Sequence, residues 1–354
     1  MLSKRNFTQG HIEDLHKIYP KVSLEVFEMT MFAFGLLQHL ASEKLDFIFK
    51  GGTSLMLLLP KPKRVSTDID IMVKPDTDIE PFVQNIEHKF PLLRLSGQSS
   101  DNQNGIKVSH FSFACPPIYS EKANVLLDVY FGTCPYLKLV KKPIKNLFLE
   151  NDGMPSEVTM PSVNSLLGDK MTAFAPNTIG VHPSITSFGK KCDKRLQIIK
   201  QLYDINALSE EMTDFQEVIE SYKAVAEEER SFRGIDGTTK EFIRDSFLAA
   251  LSILTLGASD KSGEFQKSYK PGIEKLTDHI FAFDWNMPKA QEFAANAMLL
   301  YACLASEVDY KKVTIEHQKG LHDFPYSAIN RAVKRKDLFD KAITAVKIFD
   351  KGAR

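Results

Sequence analysis

Between Phe47 and Val73 the chain reads FIFKGGTSLMLLLPKPKRVSTDIDIMV. An apolar run closes on a glycine pair, and a second stops at Pro60. Two carboxylates, Asp68 and Asp70, then stand one residue apart inside a third. Side chains of a strand alternate between faces with period two, so Asp68, Asp70 and Met72 share one face and Ile69, Ile71 and Val73 the other. The apolar face packs. The opposite face holds two carboxylates that repel each other unless positive charge stands between them. A divalent cation with hard oxygen ligands, Mg²⁺ or Mn²⁺, meets that need, and Mg²⁺ usually completes its shell with water and substrate phosphates. A nucleoside triphosphate (NTP) is the natural third component.

The flanking residues fit the same chemistry. A strand over 46–50 that turns into a helix at Gly51–Gly52 lets backbone N–H groups approach an anion, with Thr53 and Ser54 adding hydroxyls. Pro60 ends that helix. In NVLLDVYF, Asp128 lies on the face opposite Val125, Leu127 and Val129. On a neighbouring strand it could join the pair and take a proton from an attacking hydroxyl. Three carboxylates, a glycine turn and two metal ions are the machinery of in-line nucleotidyl transfer. Each part alone has a plainer reading, since a GG dipeptide is most often a tight turn and D-x-D most often solvated edge-strand charge. Only the combination is specific.

A chain of 354 residues exceeds one typical core and predicts two domains. Residues 23–43 show apolar helical spacing with Ser23 placed as the cap. Strand signals follow at 46–50, 67–73, 92–96, 106–113 and 124–131, with a helix over 76–90 and a polar turn cluster over 97–105. From about 160 onward helical patterns dominate, at 162–175, 193–208, 212–228, 239–256, 289–306 and 327–349, interrupted by a polar loop over 257–273. The expected fold class is therefore α/β (α+β): a small mixed-sheet core over 1–155 with flanking helices, and a helical lobe over 156–354 closing over the cleft.

Composition removes several function classes. Lys plus Arg number 45 and Asp plus Glu 45, so no global field draws the chain to nucleic acid or membrane, and polyanion contact must come from local patches. Three patches qualify: Lys138, Lys141, Lys142 and Lys145 on one loop; Lys190, Lys191, Lys194 and Arg195; and Arg331, Lys334, Arg335 and Lys336. Charge runs are usually solvated faces, but the second abuts the proposed site. The four cysteines form no C-x-x-C, and His11 and His16, five apart, share no helical face, so no zinc site is expected. Trp285 reads as an anchor of the helical core. The N-terminus lacks the apolar core of a signal peptide, and the longest apolar stretches fall short of the ~20 residues a membrane span needs. The expectation is a soluble, cytoplasmic chain.

The combination of GG and D-x-D resembles the polymerase-β-like nucleotidyltransferase superfamily. Within it, KGGTSLMLLLPKPKRVSTDID is similar to the AbiEii/AbiGii-type toxins, whose first motif runs K-G-G-T/S-x-L and then R-x-S-x-D-I-D. Gly51, Gly52, Thr53, Arg64, Ser66, Asp68 and Asp70 all match. Later family motifs match Lys170 in LLGDKMTAFA and Lys200 and Asp204 in RLQIIKQLYDINAL, with Gln201 where the family commonly has an acid. The resemblance spans about residues 20–210. It implies that Arg64 orients the D-x-D loop or contacts a phosphate, that Lys170 neutralises the β- and γ-phosphates, and that Asp204 is catalytic. From the residues alone, Lys170 beside Asp169 reads as an exposed lysine, and Lys200 and Asp204 as a plain helical ion pair.

The expected activity is metal-dependent transfer of a nucleotide from an NTP to an acceptor, with the tRNA 3′ end as the first candidate. The biological setting implied is that of a toxin in a toxin–antitoxin or phage-defence (abortive infection) pair with a cognate antitoxin. Two alternatives stand beside it. One is nucleotidylation of a small, aminoglycoside-like molecule, which predicts a compact acidic pocket. The other is a nucleotide-binding interaction protein, against which the intact D-x-D argues.

Overall fold

A computed structural model describes residues 1–43, 45–104, 106–120, 123–187 and 190–352. The chain divides into two units, residues 1–162 with 278–284, and residues 163–277 with 285–354.

The first unit begins with α1 (Gln9–Ile18) and α2 (Leu24–Ser42). Ser23 starts α2 by accepting the Val26 N–H at 3.3 Å, as its sequence position predicts. Strand β1 (Ile48–Lys50) runs directly into α3 (Gly51–Leu58). The chain continues through β2 (Ile69–Val73), α4 (Glu80–Lys89), β3 (Arg94–Gln103), β4 (Ile106–Ala114), β5 (Asn124–Phe131), β6 (Leu139–Pro143) and β7 (Glu157–Pro161). The seven strands form one mixed sheet in the order β3-β4-β5-β2-β1-β7-β6. Here β2 pairs antiparallel with β1 and parallel with β5. Ile69, Ile71, Leu127 and Val129 are fully buried, and α2 packs on β2 and β5. Burial of that apolar face leaves the carboxylates on the other, as period-two alternation requires.

Three local expectations change. Residues 97–103 continue β3, because each finds a ladder partner on β4; the bend comes at Asn104, in the left-handed region at φ 52°, and Gly105 lies outside the described residues. The Lys138–Lys145 cluster is no loop, since 139–143 form the edge strand β6 beside β7. Residues 278–284 return to the first unit: Val65 N–H donates to His279 O at 3.0 Å and Phe281 N–H to Lys63 O at 3.2 Å, bracing the segment that leads into β2.

The second unit is helical, with α5 (Val163–Ala173), a hairpin of β8 (Ser184–Ser187) and β9 (Lys190–Asp193), then α6 (Arg195–Glu211), α7 (Phe215–Arg233), α8 (Thr239–Leu254), α9 (Lys270–Leu276), α10 (Met287–Ser306), α11 (Ala328–Ala332) and α12 (Lys336–Gly352). Helix α8 starts with a reciprocal Thr238–Glu241 capping box. The stretch expected as a polar loop over 257–273 instead carries a π-helical turn at Phe265–Tyr269 and the first residues of α9, which bury Phe265, Tyr269 and Ile273. The helix expected over 327–349 is two, parted where Val333 turns extended with its side chain buried. Trp285 anchors this unit as expected, donating from its indole N–H to Ile273 O at 2.9 Å and packing against Tyr203 and Phe293. No helix among the described residues is long and apolar enough to cross a membrane.

Candidate active site

Four adjacent strands set four chemically active side chains in one row. Lys50 of β1 pairs in register with Asp70 of β2, Asp70 with Asp128 of β5, and Asp128 with His110 of β4. Neighbours in such a row share a sheet face and lie about 5 Å apart along the hydrogen-bonding direction. Asp68 stands just before β2, partly exposed like Asp70 and Asp128.

The glycine pair is explained by what presses on it. Gly51 has φ +75°, and a Cβ there would sit 1.8 Å from Asp70 Oδ2 and 2.5 Å from its Cγ. A Cβ on Gly52 would sit 2.7 Å from Arg64 Nη2 and 3.1 Å from Ser66 Oγ. The carboxylate and the guanidinium thus occupy the room that side chains would take at the start of α3. Arg64 is buried and donates from Nη1 to Val65 O at 3.1 Å. Thr53 and Ser54 are also buried, and their hydroxyls donate to backbone carbonyls, Thr53 to Asp68 O (2.5 Å) and Ser54 to Gly51 O (2.8 Å). Their bonds hold the D-x-D segment and the first turn of α3 together. That is a different use from the anion contact expected of them.

His110 is a residue the sequence reading passed over. Its Nδ1 lies 2.7 Å from Asp128 Oδ1 and its Nε2 lies 3.6 Å from Asp101 Oδ2. The bond to Asp128 raises the imidazole above its ordinary pKa, partial burial opposes this, and Asp101 adds to it. The available signal was a histidine on the polar face of a strand, but nothing local sets its register against Asp128. Lys50, quoted in the first motif without a role, closes the other end of the row, with Nζ 5.5 Å from the Tyr130 ring centre and 5.7 Å from that of Tyr136.

Of the three carboxylates expected to share a metal ion, Asp70 and Asp128 stand abreast on neighbouring strands and Asp68 just precedes β2. Among the described residues no group of three or more His, Cys, Asp or Glu side chains stands ready to hold an ion, and one oxygen of Asp128 already meets His110. The donor chemistry of Asp68 and Asp70 nonetheless suits a hard cation, which commonly takes one or two carboxylates and fills its shell with water and phosphate oxygen.

In the helical unit, α5 and α6 bring together Lys170 and Asp204. Lys170 Nζ lies 3.2 Å from Asp204 Oδ2 and 3.2 Å from Gln201 Oε1. The side chains are 8% and 0% exposed, so Lys170 is not the surface lysine its neighbour Asp169 suggested. Gln201, standing where an acid is common, still offers the ammonium an oxygen. Lys200 shares the buried side of α6 with Asp204.

The family model described as nucleotidyl transferase AbiEii toxin, type IV TA (toxin–antitoxin) system, matches residues 35–296, well over half of the chain. The chain belongs to the AbiEii toxin family. No curated protein matches it. The AbiEii match covers the glycine pair, the carboxylate row, His110 and the Lys170–Asp204 pair, and extends past residue 210, where the sequence alone showed no motif. AbiEii membership makes the coarse chemistry nucleotidyl transfer in a type IV toxin–antitoxin system.

The basic clusters fare unevenly. Arg195 is gripped by Asp193, with Nη2–Oδ2 at 2.7 Å and Nε–Oδ1 at 2.8 Å, and the side chains of Lys190 and Lys191 lie outside the described part. Arg335 is tied to Asp337 and Glu292. On β6, Lys141 is exposed and Lys142 half-buried, with Lys145 exposed just beyond.

Proposed function

We propose that this AbiEii-family chain is a metal-dependent nucleotidyltransferase of the cytoplasm that moves a nucleotide from an NTP to an RNA acceptor, the tRNA 3′ end being the first to test, as a toxin controlled by a cognate antitoxin. The observation that carries the reading is the Asp70 carboxylate packed on Gly51 at the strand–helix turn, with Asp128 abreast of it. Asp68 and Asp70 would hold Mg²⁺ or Mn²⁺, which when bound neutralises charge on the triphosphate. Gly51 and Gly52 let the α3 backbone approach phosphate, Arg64 and Ser66 back the second glycine, and Asp128 takes the acceptor proton. On the family resemblance alone, Lys170 stabilises phosphate charge, with Asp204 holding it and Lys200 beside it.

The test is incubation with each labelled NTP, Mg²⁺ or Mn²⁺, and total RNA. Asp68→Asn and Asp70→Asn are each expected to abolish transfer, because each removes a charged ligand of the proposed cation, while leaving the fold intact, because both side chains are partly exposed. Full activity in both variants would overturn the assignment.

For the acceptor, β6 supports RNA. This lysine-bearing edge strand packs against α3, the helix that Gly51 begins. Changing Lys141, Lys142 and Lys145 to Gln is expected to weaken RNA modification and flatten its log–log salt slope by about 0.7 per lost contact on a single strand. The NTP KM should stay unchanged. Edge lysines also block strand pairing between molecules. A variant that aggregates while keeping the wild-type salt slope would assign them that task and move the acceptor towards a small molecule.

A further inference from the structure

Asp128 has two carboxylate oxygens, and His110 engages one of them. Carboxylate oxygens only accept, so with Asp128 ionised the 2.7 Å contact requires an N–H at His110 Nδ1. The contact is set by register, because His110 faces Asp128 across β4 and β5 while Asp128 stands abreast of Asp70 on β2. Both side chains are 41% exposed. An ion pair so open to water contributes little to stability, so packing does not account for it.

We propose that His110 is a positioning residue: by donating from Nδ1 to Asp128 Oδ1 it holds the carboxylate so that Oδ2 faces the acceptor hydroxyl. The inference rests on the nucleotidyl-transfer reading. In the step it serves, the acceptor O–H bond breaks and its proton passes to Asp128 Oδ2. The freed oxygen bonds to the α-phosphorus. The bond from the α-phosphorus to the bridging oxygen breaks, and its electron pair leaves on pyrophosphate. A base must sit within hydrogen-bond reach of its proton, and an unheld carboxylate on a half-open strand face turns about its terminal torsion.

The experiment compares wild type, His110→Phe and His110→Asn with labelled NTPs and total RNA, beside urea unfolding of each. The Phe variant is expected to lose about 10- to 100-fold in kcat with little change in NTP KM, since the lost interaction acts in the transition state. Unfolding should be nearly unchanged. Asn places an amide nitrogen where Nδ1 stood and is expected to recover most of the loss. An independent readout is the ¹⁵N spectrum of the histidines, in which His110 should keep its proton on Nδ1 and lose that signature in Asp128→Asn. Unchanged kcat in an active His110→Phe protein, a change in NTP KM alone, or an unprotonated Nδ1 would overturn the positioning role and leave the transferase reading standing. No product from wild type would overturn both.

Discussion

Gly51→Ala is expected to cost at least about 10²-fold in turnover, although it adds one methyl group. The added Cβ would stand 1.8 Å from Asp70 Oδ2, whereas real Cβ atoms keep at least 3.0 Å, so the carboxylate must move by more than about 1 Å. A displacement of that size in the carboxylate proposed to hold the cation is enough to lose the reaction. The backbone adds strain, because φ +75° is a left-handed conformation that costs a non-glycine residue about 1–2 kcal/mol. Stability should therefore fall modestly while activity falls steeply. Gly97→Ala is the matched control, since its Cβ would meet only Ser112 at 3.7 Å. That variant should stay within about 0.5 kcal/mol of wild type and keep full transfer. Label transfer and urea unfolding of both variants check the pair of expectations. Wild-type turnover in Gly51→Ala would mean that Asp70 does not act from the position it holds against this glycine.

Lys170→Met is expected to destabilise the helical unit by about 3 kcal/mol or more, the usual cost of removing one partner of a buried ion pair. Asp204 is 0% exposed and Lys170 Nζ is 3.2 Å from its Oδ2, so the carboxylate has no route to solvent when the ammonium goes. The burial reverses the ranking that an exposed, cleft-facing lysine would give, in which turnover suffers more than folding. Pairing the change with Asp204→Leu should recover much of the stability, because a well-packed apolar pair is often as stable as the buried ions it replaces. The double variant then separates the two roles. If it folds and still loses transfer by roughly 10²-fold, the charge serves the reaction as well as the fold. If it folds and transfers at the wild-type rate, Lys170 and Asp204 are structural. A single Lys170→Met variant with unchanged unfolding would contradict the burial itself.

Local physics reached the elements whose pattern is complete within a few residues. Alternation placed β5 at 124–131 and put Asp128 opposite Val125, Leu127 and Val129. The glycine pair and D-x-D marked a strand–helix turn and a second strand, and Ser23 marked the start of α2, because cap, period and turn chemistry act at short range. Sequence alone thus determined which residues could form a carboxylate face. Tertiary structure decided which of them meet. Pairing of β4 with β5, and of β2 with both β5 and β1, depends on register between segments tens of residues apart, so the row from His110 to Lys50 was not written in any one motif. The same distance explains why 97–103, polar and glycine-bearing, became a strand once β4 supplied its ladder partners. It explains why residues 278–284 joined the first unit. And it explains Lys170: a lysine beside an aspartate reads as solvated until the packing of α5 on α6 removes its water and gives it Asp204 instead.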